Sequence, residues 1–207
     1  MSAKCSVFIV VDDARLRRNL VATLRSEQYQ PTPYAAGSDF LEALSYLPAG
    51  VAIVDLNLPD KKGIDVLKQL LEERKDIPVI ITADQVSIQM VVQMIKRGAD
   101  DFLEQPFSKK MLLEVIDQSA ALLQSRIELQ QEQERAEACL QRLTKTEIDV
   151  LRSLKSNKSN QETAEELHLS IRTIETYRTR IMKKCGVTRF ADAISIYSIA
   201  SSSRKPH

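Results

Sequence analysis

The chain has 207 residues, 43% of them hydrophobic and 28% charged, which supplies one sizeable core or two small ones and excludes a compositionally disordered chain. Its apolar runs, such as 7–11, end in charged residues after about five positions, far short of the roughly 20 that a membrane span requires, so no membrane partner and no secretory leader are expected and residence is read as cytoplasmic. The formal charge of +1 hides an asymmetry: residues 1–141 carry 16 Lys/Arg against 21 Asp/Glu, net −5, whereas residues 142–207 carry 13 against 7, net +6. A basic tail behind an acidic front half points to a polyanion or to a solvated charged surface, and composition does not choose between them. Cys5, Cys139 and Cys185 are odd in number, widely spaced and lack a CxxC pair, which argues against a disulfide framework or a zinc site and for three small packing residues.

In chain order, apolar strand-like runs alternate with helical patterns. Strands are expected over 7–11, 32–35, 51–54, 79–82 and 101–103, and helices over 14–27, 38–46, 63–74, 87–97 and from 108 onward. Five such units predict a parallel sheet covered on both faces, an α/β doubly wound domain of flavodoxin-like type and about 120 residues. Beyond it the pattern is purely helical.

Ligands of such folds sit at the carboxyl ends of the strands. Those ends carry Asp12 and Asp13 after the first strand, Asp55 after the third, Thr82 after the fourth and Gln105 after the fifth. Three carboxylates are thus expected to converge. Like charges repel unless a cation joins them, and an all-oxygen set suits Mg²⁺.

The motifs "FIVVDD", "AIVDLNLPDKKG", "VIITAD" and "GADDFLEQPF", in this order and spacing, resemble the receiver domain of a two-component response regulator over roughly residues 4–124. The resemblance implies that Asp55 accepts a phosphoryl group from a sensor histidine kinase. It implies Mg²⁺ bound by Asp13, Asp55 and the Asn57 backbone carbonyl, with Asp12 acting through water. Thr82 would hydrogen-bond the acyl phosphate, small Ala83 would leave it room, and Phe102 would be the aromatic residue that moves inward with the Thr. Pro59 and Gly63 shape the loop beyond Asp55.

One residue departs from the pattern. The family has a Lys two residues before the Phe of the last motif, preceding a Pro that is commonly cis, and Gln105 stands there. A Gln side chain is shorter, uncharged and offers only amide N–H groups. Exchanging a charge-assisted bond for a neutral one forfeits ~1–3 kcal/mol of coupling between phosphoryl group and switch. An atypical receiver, a receiver with weakened coupling and a substitution introduced by design all fit this residue.

From Ser108 to about Gln141 there is no Gly or Pro. One row, Leu113, Ile116, Ala120, Leu123, Ile127, Gln130 and Glu134, follows heptad spacing and turns polar; a second, Leu122, Leu129, Ala136 and Leu143, overlaps it. A long helix pairing with a second copy and a helix that only packs on the sheet both fit. Two capping boxes follow, Thr144 to Glu147 and Ser159 to Glu162. Ser170 can cap a third helix that Gly186 closes. Ile171, Ile174, Ile181 and Met182 are read as core.

The stretches "LTKTEIDVL" and "NQETAEELHLSIRTIETYRTRIMKKCGV" resemble the LuxR-type helix-turn-helix across about residues 142–202, and the two halves together resemble a FixJ/NarL-type response regulator. The resemblance implies that helix 171–184 enters the major groove of double-stranded promoter DNA. Glu175, Thr176 and Thr179 would face base edges, with Arg172, Tyr177, Arg178, Arg180, Lys183 and Lys184 available to phosphates and neighbouring bases. Tyr177 and Cys185 stand where relatives often have His and Leu. The resulting expectation is a receiver at 1–124, a helical linker at 125–141 and a four-helix DNA-binding domain at 142–207. The whole would be a DNA-binding transcription regulator, not an enzyme, phosphorylated on Asp55 and a homodimer when active. The alternative is a phosphorylation-independent pseudo-receiver that serves as a dimerisation or protein-binding module.

Overall fold

The computed structural model describes residues 4–202; the expected domain ends at 1–3 and 203–207 lie outside the described residues. The chain divides into two compact units between Ile127 and Glu128.

In the first unit, five parallel strands lie in the order β2-β1-β3-β4-β5: β1 Ser6–Val10, β2 Gln30–Tyr34, β3 Gly50–Asp55, β4 Val79–Asp84 and β5 Asp101–Gln105. Helices α1 Ala14–Ser26, α2 Gly37–Ala43, α3 Gly63–Glu73, α4 Ile88–Lys96 and α5 Lys109–Gln141 follow the strands in turn, with a short 3₁₀ turn at Leu44–Tyr46. The two-residue period of a strand sends alternate side chains to opposite faces. Phe8, Val10, Ala52, Val54, Val79 and Ile81 therefore pack with Phe40, Leu44, Val66, Leu67, Leu70 and Met94 of α2, the 3₁₀ turn, α3 and α4. Val7, Ile9, Val51, Ile53, Ile80 and Leu103 pack with Leu20, Leu24, Leu112 and Ile116 of α1 and α5. Burying each such aliphatic side chain contributes about 1.5–3 kcal/mol, which is why the central strands read as unbroken apolar runs.

Two sequence expectations shift. β2 begins two residues earlier than read and is mostly exposed, because it is the sheet edge and carries Pro31 and Pro33. Its Gln30 N–H donates to the Cys5 carbonyl at 3.2 Å and the Tyr34 carbonyl accepts from Val11, so the even-numbered residues face β1 and the two prolines face outward. On α5, the buried stripe is Leu112, Ile116, Ser119 and Leu123 rather than one built on Leu113 and Ala120, while Leu122 and Leu129 are exposed.

In the second unit, α6 Lys145–Lys155, α7 Asn160–Glu166, α8 Ile171–Cys185 and α9 Phe190–Ser202 follow the end of α5. Both capping boxes form, Thr144 with Glu147 and Ser159 with Glu162, and Ser170 caps α8. Gly186 ends α8 in the left-handed conformation, φ 70°. Ala136, Leu140 and Leu143 pack with Val150, Leu151, Ile174, Ile181, Phe190 and Ala193. Ile174 and Ile181 are core as read; Ile171 is 47% exposed, because the first position of α8 precedes the helix's buried stripe. Cys139 and Cys185 are joined as a disulfide across 46 residues, which corrects the reading of three separate packing cysteines. Spacing along the chain carries no information about that approach.

The loop after β3 turns back sharply, Asn57 pairing with Lys62 and the Gly63 N–H donating to the Leu56 carbonyl at 2.8 Å. A Cβ on Gly63 would lie 2.3 Å from the Asp55 carbonyl oxygen. Gly63→Ala is therefore expected to destabilise the first unit by ~1–3 kcal/mol, read as a lower denaturation midpoint at unchanged slope.

Candidate functional site

Parallel pairing brings the strand ends into one row. Asp55 lies opposite Thr82, and Asp84 opposite Gln105. Asp55 is buried; its Oδ1 accepts from the Asn57 N–H at 3.0 Å and its Oδ2 faces the Gln105 amide nitrogen at 3.4 Å. The same Gln105 Nε2 donates to Thr82 Oγ1 at 3.2 Å, and that hydroxyl donates to the Leu103 carbonyl at 2.8 Å. Gln105 thus bridges three strand ends, and the peptide that follows it, to Pro106, is cis. Leu103 was not singled out in the sequence, because a backbone acceptor leaves no signature in residue identity.

The acidic pair behaves less uniformly than read. Asp13 caps α1, its Oδ1 accepting from the Leu16 N–H at 2.6 Å, and that bond holds its carboxyl below the usual range. Asp12 is exposed, and Arg17 donates to the Asp12 and Val11 carbonyls. Among the described residues no three acidic side chains draw together at metal-binding range. Asp12 and Asp13 nevertheless lie close enough to act on Asp55. Burial chiefly raises its pKa; the Asn57 N–H and the Gln105 amide lower it, and the charges of Asp12 and Asp13 raise it further. Phe102 is half-buried and packs against the core on the α2, α3 and α4 side of the sheet. A residue the sequence reading passed over is Asp60, in the loop after Asp55. It accepts from the Gly37 and Ser38 N–H groups at the start of α2, which pulls its pKa down to about 2. Its partners lie more than 20 positions away, beyond any local pattern.

In the second unit, Arg172, Glu175, Thr176, Thr179, Arg180 and Lys183 are exposed along α8. Spacing of three and four places Arg172, Glu175, Thr176, Thr179 and Lys183 on one face of the helix. Thr176 and Thr179 hydroxyls donate to the Arg172 and Glu175 carbonyls. The other named residues are engaged internally. Tyr177 packs against the core; Arg178 donates to Asn160 at 2.6 Å and lies over the Phe190 ring at 4.5 Å. Lys184 pairs at 2.7 Å with Glu147, which is 2% exposed. Burial works to raise the pKa of Glu147, but its bonds from Lys184 and Thr144 outweigh it and hold the carboxyl ionised.

A parallel α/β unit with acidic strand ends, followed by a capped helical unit with an exposed polar face on α8, makes a two-part regulator. Residues 7–117 match the response regulator receiver domain and residues 141–197 match the bacterial regulatory proteins of the luxR family. The chain belongs to the two-component response regulators of the FixJ/NarL type. It is 32% identical to the response regulator protein TodT of Pseudomonas putida, over 95% of this chain and 87% of that one. It is 29% identical to the transcriptional regulatory protein FixJ of Bradyrhizobium diazoefficiens, over 95% and 96%. The low-resolution structure of the response regulator StyR superposes with a TM-score of 0.80 at 30% identity, covering 95% of this chain and 99% of that one. The chain is accordingly a DNA-binding transcriptional regulator of two-component type and not an enzyme. No helix among the described residues is long and apolar enough to cross a membrane.

A raised folded-state pKa for Asp55 means that folding favours its protonated form. That contribution is complete below the ordinary value of 3.8 and is lost as pH rises through the higher folded value. In metal-free buffer, Asp55→Asn is therefore expected to stabilise the receiver at neutral pH, the gain vanishing below pH 3.8; denaturant titrations across pH check it. Lys184→Ala strands a buried carboxylate and is expected to cost ~2 kcal/mol of stability, below the full value for a buried pair because the lysine is partly solvated. Lys183→Ala is expected to leave stability within ~0.5 kcal/mol and to reduce the salt slope of DNA binding by about 1.

Proposed function

We propose that Asp55 is the phosphoacceptor of this regulator and that its receiver is coupled to the switch only weakly, because Gln105 supplies an amide where the family has an ammonium. The observation that carries the reading is the buried Asp55 carboxylate, facing an uncharged amide at 3.4 Å in register with Thr82. In the transfer, an Asp55 oxygen attacks the phosphorus of a phosphohistidine on the sensor kinase. A P–O bond forms, the P–N bond breaks and the imidazole leaves.

Receiver domains generally bind Mg²⁺ at the phosphorylation site. The donors here fit it, because Mg²⁺ is held by one or two carboxylates together with water and phosphate oxygens and does not need three converging acids. Asp13, Asp55 and the Asn57 carbonyl would hold it, with Asp12 acting through water, and when bound it would neutralise charge on the phosphoryl oxygens. Gln105 can donate to one of those oxygens. Thr82, released from the Leu103 carbonyl, can donate to another, and Phe102 follows the space that Thr82 vacates. The regulator then acts in the cytoplasm on promoter DNA as a homodimer. Exposed Leu122 and Leu129, seven residues apart on α5, support pairing of that helix. Arg172, Glu175, Thr176, Thr179, Arg180 and Lys183 contact the DNA, with Tyr177, Arg178 and Lys184 supporting them from behind.

Incubation with acetyl phosphate and Mg²⁺ is expected to add one phosphoryl group to the wild type and none to Asp55→Ala, by intact mass. Equal labelling removes Asp55 from the mechanism. At matched phosphorylation, Gln105→Lys is expected to raise the phosphorylation-dependent gain in DNA affinity by roughly 5- to 150-fold. A second reading is favoured by the closed chain Asp55, Gln105, Thr82 and Leu103, which is already satisfied without a phosphoryl group. In it the receiver is a phosphorylation-independent dimerisation module. Unlabelled wild type that binds DNA as a dimer, unchanged in Asp55→Ala, selects that reading.

A further inference from the structure

The end of α8 is held at two adjacent residues. Lys184 ties it to Glu147 of α6, and Cys185 ties it to Cys139 in the last turn of α5. The two Cα atoms of the cysteines are 5.3 Å apart, inside the range that a disulfide spans without moving backbone. Cys139 is 7% exposed and Cys185 is partly buried against the core of the second unit, so the pair faces that core and not the exposed face of α8.

We propose that Cys139 and Cys185 are a thiol-modification site whose oxidation latches the DNA-reading helix to α5. The oxidant is a two-electron acceptor of the peroxide class. The Cys185 thiolate, the more accessible of the two, attacks one peroxide oxygen; an S–O bond forms, the O–O bond breaks and hydroxide leaves to become water. The Cys139 thiolate then attacks that sulfur; the S–S bond forms, the S–O bond breaks and a second water leaves. The two thiols lose two electrons and two protons, and hydrogen peroxide becomes two waters. Disulfides in reducing compartments are characteristically transient and regulatory, and closing 46 residues of chain restricts the unfolded ensemble of the reader. Cys5 is the built-in control: it is a free thiol in the other unit, with no second cysteine in that unit to couple to. The latch does not depend on phosphorylation of Asp55.

The full chain, fully reduced and then titrated with hydrogen peroxide, is denatured, alkylated and mapped. Cys139 and Cys185 are expected to lose alkylation together with a mass decrease of about 2 Da, two hydrogens leaving as the thiols couple, while Cys5 stays alkylated. Reducing the wild type is expected to lower the melting temperature of the second unit by roughly 5 °C or more. It is also expected to weaken binding to a duplex selected from a random pool by the oxidised chain by about 5-fold or more. Cys139→Ala and Cys185→Ala should behave as the reduced wild type under both conditions, and Asp55→Ala should keep the full redox response. Cysteines that remain alkylated throughout the titration overturn the proposal. So does a disulfide that forms with melting temperature and DNA affinity unchanged.

Discussion

A carboxylate placed at the covered end of a central strand is unfavourable unless something offsets its charge, and the polar end of the receiver is arranged around that one group. β3 has strands on both sides and helices on both faces, which leaves Asp55 at its end only 8% exposed. Its relief comes from the Asn57 N–H just beyond it in sequence and from the Gln105 amide two strands away, while Asp12 and Asp13 act against it from beyond β1. These groups meet because the parallel strands are in register. A slip of one residue in any pairing would send the side chains concerned to the other face of the sheet. The chemistry of this end therefore rests on the same apolar alternation that builds the core.

The basic unit meets the same difficulty with the opposite solution. Glu147 is buried almost completely and is answered by a full cation, Lys184, together with the capping Thr144. That pairing, with the hold of Asn160 and Phe190 on Arg178, divides α8 into an inward side that fixes its position and an outward side that is free to meet a ligand. The net charge of the tail overstates what can reach a phosphate, because two of the cations of α8 face the protein's own interior.

Much of this was legible in the residues. Buried parallel strands are near-continuous in apolar character, and caps act over three residues, so β1, β3, β4, both capping boxes and the Gly186 stop all carry local signals. The strand-end residues could likewise be placed. What escaped was the partner each side chain takes. Glu147 and Lys184 are 37 positions apart and Cys139 and Cys185 are 46 apart, separations over which sequence pattern says nothing about contact. The buried stripe of α5 was misjudged by one position at Leu112 and Ser119, since a row of mixed polar and apolar residues fits two neighbouring helical faces equally well. Ile171 read as core because it is apolar, yet helix starts often expose their first side chain.

The edge strand β2 has a consequence for how copies of this chain can meet. An open strand edge invites another strand to add to it through unpaired backbone groups. At Pro31 and Pro33, the positions turned away from β1, there is no N–H to offer, so the outer border of the sheet lacks two of the donors a newcomer would need. Growth of the sheet from this side is blocked by covalent structure, independent of pH or salt, and the receiver is steered away from fibrous stacking toward encounters between helices.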